Sequence, residues 1–179
     1  MSEASIQIVP YNPAWPARAA TAIRELRETL PGAFAAIEHI GSTAVPDLAA
    51  KPIIDLMAAA ADLALVEQRE AVLTGLGYER HFNDMSDRLL YVRASGGVRA
   101  YLLHVVTLDS WPTRNQRFFR DYLREHPSDA ARYAELKQAL AATGIAPGDY
   151  ARAKTELIQE LTDRARQERG LPSVPVWEK

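Results

Sequence analysis

The chain predicts an α+β fold: a mixed sheet of four to five strands flanked by helices, followed by a helical C-terminal half. Three observations carry this. Apolar residues recur at helical spacing near the N-terminus; short runs rich in β-branched residues occupy the middle of the chain; and from about residue 113 the helical period returns. At 179 residues the expected organisation is one domain over 1–170 with a C-terminal tail over 171–179.

The elements follow in order. Residues 6–9 form a short apolar stretch closed by Pro10, an edge strand or extended arm. Over 13–30, Trp15, Ala19, Ile23, Leu26 and Leu30 mark a helix that Pro31-Gly32 ends. Residues 34–40 read as the first sheet strand, 46–51 as a short turn or single helical turn, and 52–58 as a central strand. A helix over 63–76 carries Leu65, Val66, Val72, Leu73 and Leu76 and closes at Gly77. Residues 89–93 and 99–107 predict a hairpin about Ser95-Gly96-Gly97. Three helices complete the chain, over 113–125, 129–142 and 150–166.

Composition removes several function classes. There are no cysteines, so disulfide staples, thiolate zinc sites and a thiol nucleophile are excluded. Net charge is -2, which gives no global electrostatic footprint for nucleic acid or an anionic membrane and leaves room for a local basic pocket. No run approaches the ~20 apolar residues of a membrane helix, and the first residues lack a secretory pattern. The expected compartment is the cytoplasm.

The chemistry concentrates in His39-Ile-Gly-Ser-Thr-Ala-Val-Pro46 and Lys51-Pro-Ile-Ile-Asp55. Gly41, Ser42 and Thr43 follow a strand, where glycine lets the backbone approach a phosphate and the hydroxyls donate to it. The same residues also describe an ordinary strand-to-helix turn with Thr43 as its cap. Asp55 sits among apolar neighbours, where a carboxylate needs an ion pair, backbone donors, a metal or a substrate. His104, inside Tyr101-Leu-Leu-His-Val-Val106, is a hydrogen-bonded core histidine or a ligand. His39 is a supporting partner or a catalytic group. Lys137 and Lys154 each follow a tyrosine by one turn and fall on inward stripes, so each snorkels to solvent or meets an anion. On the helical wheel alone Arg120 is a solvated charge.

Together these residues resemble the GrpB family of the nucleotidyltransferase-fold superfamily. The resemblance spans most of the chain and adds Tyr11-Asn-Pro-Ala-Trp15, Leu103-His-Val105, Phe119-Arg-Asp-Tyr-Leu123, Tyr133-x-x-x-Lys137 and Tyr150-x-x-x-Lys154. It implies a nucleotidyltransferase-like fold and a metal-assisted transfer of a nucleotidyl or phosphoryl group to a small acceptor. Gly41, Ser42, Thr43, Lys51, Arg120, Lys137 and Lys154 would then hold phosphate, Asp55 and His104 would bind Mg²⁺ or Mn²⁺, and His39 would assist proton transfer. The implied ligand is a nucleoside triphosphate or another phosphorylated small molecule, and the family's occurrence fused to dephospho-CoA kinase implies a functional link to that enzyme.

Two departures from the superfamily pattern stand out. Met57 occupies the place of a second acid, and the strand expected to supply a third offers His104. This weakens a two-metal site and leaves open a catalytically degenerate nucleotide-binding module. In addition, Asp47 stands where the family has a glycine, either as a compensating ligand or as a charge that weakens anion binding.

Overall fold

The computed structural model describes residues 6–176. Helix α1 (Trp15–Thr29) opens where the Asn12 side chain accepts from the Ala14 N–H and Pro16 fills the first turn. Its buried Trp15, Ala19, Ala22 and Leu26 recur at helical spacing, as the sequence predicts. Before it, residues 6–9 form no strand; Val9 makes a single antiparallel bridge to Ala50.

Five strands follow: β1 (Ala36–Ile40), β2 (Ile54–Ala60), β3 (Tyr78–Arg80), β4 (Arg88–Ser95) and β5 (Val98–Thr107). Their order in the sheet is β1-β2-β5-β4-β3, with β2 and β5 parallel and the remaining pairs antiparallel. The two parallel strands therefore lie side by side inside the sheet, and they carry Asp55 and His104. The β4–β5 hairpin turns on Gly96 and Gly97, both at positive φ, as a two-residue turn between twisted strands requires. Strand β3 has no counterpart in the expected elements, since three residues are too few to show alternation. The expected helix over 63–76 is instead two short helices, α2 (Leu63–Glu67) and α3 (Glu70–Gly75), with the chain bending at Arg69.

Alternation divides the sheet into two faces. Ile54, Leu56, Ala58, Leu103 and Val105 pack under α1, α2 and α3 in the main core. The other face presents Ile40, Met57, Ala59 and Val106 against Trp111. Asp55 and His104 share the parity of this second face.

Over it lie α4 (Asn115–Glu125), α5 (Pro127–Ala142), α6 (Pro147–Ala153) and α7 (Thr155–Gln167). The expected helix over 150–166 is broken at Lys154, which takes the position between α6 and α7. Val45, Leu48, Phe118, Tyr122, Tyr133 and Leu161 form a second core that fixes the Gly-Ser turn to this helical half. Residues 171–176 of the tail run back along α7; residues 177–179 lie outside the described residues. No described helix is long and apolar enough to cross a membrane.

Candidate functional site

Strand β1 ends opposite Asp55: Ile40 and Asp55 are the last paired residues of the β1–β2 ladder. The chain leaves the strand at Gly41 with φ 74° and ψ −175°, a region open essentially to glycine alone. Glycine is required a second time by contact. A Cβ at position 41 would stand 2.6 Å from Asp55 Oδ2. One residue thus brings the turn directly onto the carboxylate.

Behind the turn, Thr43 is fully buried and its hydroxyl donates to the Ile53 carbonyl at 3.2 Å. With that proton used, Thr43 Oγ1 accepts from His39 Nε2 at 2.9 Å. Burial, opposed by Asp55 and reinforced by Arg124 and Arg120, holds the His39 pKa down to about 4. His39 is therefore neutral at pH 7, braces Thr43 from behind and does not line the cavity.

The cavity in front of the turn has a volume of about 410 Å³, within the range of small-molecule sites. It brings together Gly41, Ser42, Thr43, Lys51, Asp55, His104, Lys137 and Lys154 from six separate segments. Lys137 Nζ donates to Ser42 Oγ at 3.1 Å and to the Ala49 carbonyl at 2.5 Å. It also lies 4.6 Å from the Tyr133 ring centroid. Tyr150 is shared: Lys51 Nζ and Lys154 Nζ lie 4.4 and 4.3 Å from its ring centroid. The tyrosines predicted one turn before each lysine serve as π platforms for the ammonium groups.

Burial and mutual repulsion press protons off these lysines. The Lys137 pKa falls to about 7, through burial and then Lys154. Lys154 falls to about 8, through burial and Lys51, against the opposing pull of Asp55. Lys51 is lowered by burial and Arg99. Four cationic side chains, Lys51, Arg99, Lys137 and Lys154, thus face one carboxylate, Asp55, among the described lining residues. An anionic ligand would relieve this imbalance.

Asp55 Oδ1 and His104 Nε2 are 3.8 Å apart, too long for a hydrogen bond and short enough for both to reach one cation. An oxygen and an imidazole nitrogen suit Mn²⁺ better than Mg²⁺. His104 Nδ1 is buried without a hydrogen-bond partner among the described residues, so none of their backbone carbonyls or carboxylates fixes the ring as in a dedicated metal centre. Met57 is fully buried in the apolar cluster and supplies nothing to the site. Among the described residues the one group of three metal-competent side chains is Glu125, His126 and Glu168, outside this cavity.

Arg120 does not line the cavity. It is 8% exposed, where the helical wheel predicts a solvated charge, because it crosses from α4 to β1. There it donates to Glu38 at 2.7 Å, to the His39 carbonyl at 2.9 Å and to Asp121 at 2.8 Å. Asp47 is exposed, has φ 62° and does not line the cavity either; the left-handed backbone explains a glycine preference there. Sequence reasoning does not mark Arg99, which is one residue out of phase with His104 on β5, nor Thr162 on α7.

The profile of the GrpB protein family matches residues 5–164. The UPF0157 protein PA4798 of Pseudomonas aeruginosa is 38% identical over 165 residues, covering 89% of this chain and 67% of that protein. Of the Bacillus subtilis relative, UPF0157 protein YqkA, 33% identical over 168 residues and 90% of this chain, the match spans about half the length (48%). A dephospho-CoA kinase of Mycolicibacterium paratuberculosis is 27% identical over 168 residues, covering 78% of this chain and 40% of the kinase. The crystal structure of conserved protein GrpB from Enterococcus faecalis superposes with a TM-score of 0.84 at 29% identity, over 92% of this chain and 99% of that one. Terminal uridylyl transferase 4 from Trypanosoma brucei shares the fold at a TM-score of 0.54 and 13% identity, over 93% of this chain and 57% of that one. The chain belongs to the GrpB family and has a nucleotidyltransferase-like fold.

Proposed function

We propose that the cavity binds a nucleoside triphosphate, or a similar phosphorylated small molecule, and transfers a nucleotidyl or phosphoryl group to a small acceptor. The observation that carries this reading is the cavity itself: a Gly-Ser turn, one strand-borne carboxylate and a surplus of cations, of which Lys137 is buried and Lys51 and Lys154 half-buried, converge on one space. Ser42 and the turn's backbone would hold phosphate oxygens, and Lys137, which already touches Ser42, would sit beside them. Lys51 and Lys154, packed on Tyr150, would neutralise the charge that gathers on the leaving phosphate. In transfer, the acceptor oxygen bonds to phosphorus as the bond to the leaving phosphate breaks. The acceptor's proton passes to Asp55, the carboxylate of the cavity. Asp55 and His104 would hold at most one divalent cation, which would supply further charge neutralisation when bound. His39 keeps Thr43, and through it the turn, in place.

The test is turnover of a nucleotide panel with Mg²⁺ or Mn²⁺ against an Asp55→Ala control. Activity of the wild type alone supports transfer; equal rates in both contradict it.

A second reading is favoured by one observation, the buried Met57 at the place of a second acid. It makes the protein a nucleotide-binding module that senses a ligand or assists a partner enzyme, with the dephospho-CoA kinase relatives indicating one such partner. Calorimetry separates the two readings: metal-independent binding without turnover supports the module, and absence of binding contradicts both.

A further inference from the structure

The phosphate end accounts for only part of the cavity. Lys154 at the start of α7 and Ile158 and Thr162 within it all line the cavity at four-residue intervals. That wall changes from cationic to apolar to hydroxylic over about 12 Å at 1.5 Å per residue. The length is comparable to the separation of polyphosphate from base in an extended nucleotide. Gln116 of α4 and Val176 of the segment after α7 also line the cavity, as does Phe119, which packs edge-on against Tyr133 at 5.3 Å between ring centroids.

That segment is held in place specifically. Gln159 Nε2 donates to the Val174 carbonyl and Gln159 Oε1 accepts from the Val176 N–H, each at 2.9 Å. Ser173 Oγ donates to Asp163 Oδ1 at 2.6 Å, and Arg166 Nε to the Pro172 carbonyl at 2.5 Å. Val176 is thereby set at the seam between the main cavity and a neighbouring one of about 180 Å³. Asn115 and Gln116 are the other residues common to both. Thr162 supplies an independent observation: it is 1% exposed and its hydroxyl has no hydrogen-bond partner among the described residues. Helical threonines commonly use two χ1 rotamers, so rotation can turn this hydroxyl toward a ligand.

Building on the nucleotide reading above, we infer that the 171–176 arm, fixed by Gln159, walls a subsite for the planar heterocyclic base of the ligand. The base lies between Ile158 and Val176, with the Thr162 hydroxyl reading its polar edge. Phosphates at one end supply charge attraction, and the arm supplies selectivity at the other.

Calorimetric titrations of tripolyphosphate and of ATP, GTP, CTP and UTP test this in the wild type, Gln159→Leu, Gln159→Glu and Thr162→Val. At least one nucleotide should bind about tenfold or more tighter than tripolyphosphate to the wild type. Gln159→Leu should erase that advantage and leave tripolyphosphate affinity unchanged. Gln159→Glu, which keeps the acceptor for the Val176 N–H but sets a carboxylate against the Val174 carbonyl and Asp163, whose Oδ1 accepts from Gln159 Nε2 at 2.8 Å, should also lose the advantage. Thr162→Val should reduce nucleotide affinity severalfold without lowering thermal stability, since the hydroxyl makes no bond. Equal affinity of wild type for tripolyphosphate and every nucleotide would overturn the base subsite and leave the phosphate site standing. So would an undiminished nucleotide advantage in Gln159→Leu. No binding of either probe would overturn the nucleotide reading together with the subsite.

Discussion

At the scale of single residues, the site depends on Gly41 and on lysines held at a cost. Alanine at 41 would need a backbone region that side chains avoid and would place its Cβ against Asp55. Gly41→Ala should therefore destabilise the fold by about 2 kcal/mol and displace Asp55; equilibrium denaturation and ligand titration check the two effects separately. Lys154 makes the opposite trade. It makes no hydrogen bond among the described residues, and burial and Lys51 depress its pKa to about 8. Lys154→Met should keep or raise the thermal midpoint of the ligand-free protein, while weakening polyphosphate binding about tenfold or more. Both residues are legible in the sequence. A glycine at a strand end violates no local pattern and is legible through the motif it shares with the family; a lysine on an apolar stripe violates one, and such violations mark sites. Arg99 violates none and was therefore hidden.

At the scale of elements, Arg120 ties α4 to β1 and so fixes the lid of helices over the sheet. Its guanidinium joins Glu38, the His39 carbonyl and Asp121, while Arg117 grips the same Glu38 at 3.1 Å. Burial works against ionisation of Glu38, but the hydrogen bonds from Arg117 and Arg120 outweigh it and hold the carboxyl below its ordinary range. Arg120→Met should cost about 2–3 kcal/mol in denaturant titrations, reduced by the partner that remains. Tripolyphosphate affinity at low temperature should change less than threefold; a loss like that of Lys154→Met would instead put Arg120 among the phosphate ligands. The helical wheel misplaces this residue because it knows only its own helix, and the partner lies 82 positions earlier on β1. The bends at Arg69 and Lys154 escape for a related reason. Periodicity continues across each bend: Val66 and Leu73 share the main core, and Tyr150, Lys154 and Ile158 line the same cavity.

At the scale of the whole molecule, the protein pairs a nucleotidyltransferase-like sheet with a site of inverted charge balance, four cations to one carboxylate. The order of α and β segments is readable from hydrophobic period. The convergence of β1, β2, β5, α5 and α7 on one cavity is not, because it depends on long-range packing through the second core. This charge balance has a pH signature. Lys137 and Lys154 have folded pKa values of about 7 and about 8 against an ordinary 10.5. Between these values the unfolded chain binds more protons than the folded one, so stability without ligand should rise with pH from about 7 to 10.5. Denaturant titrations at pH 7 and 9 should show that rise, and Lys154→Met should show a smaller one. A bound anion restores the protons, so affinity should be greatest near and below pH 7. It should decline above that, approaching about tenfold per pH unit for each lysine that recovers a proton. The most direct test of the central claim is a crystal soaked with a nucleoside triphosphate and Mn²⁺. Phosphate density beside Ser42, within reach of Lys51, Lys137 and Lys154 and next to Asp55, is the expected result; an empty cavity at saturating ligand, or a nucleotide seated elsewhere, would contradict it.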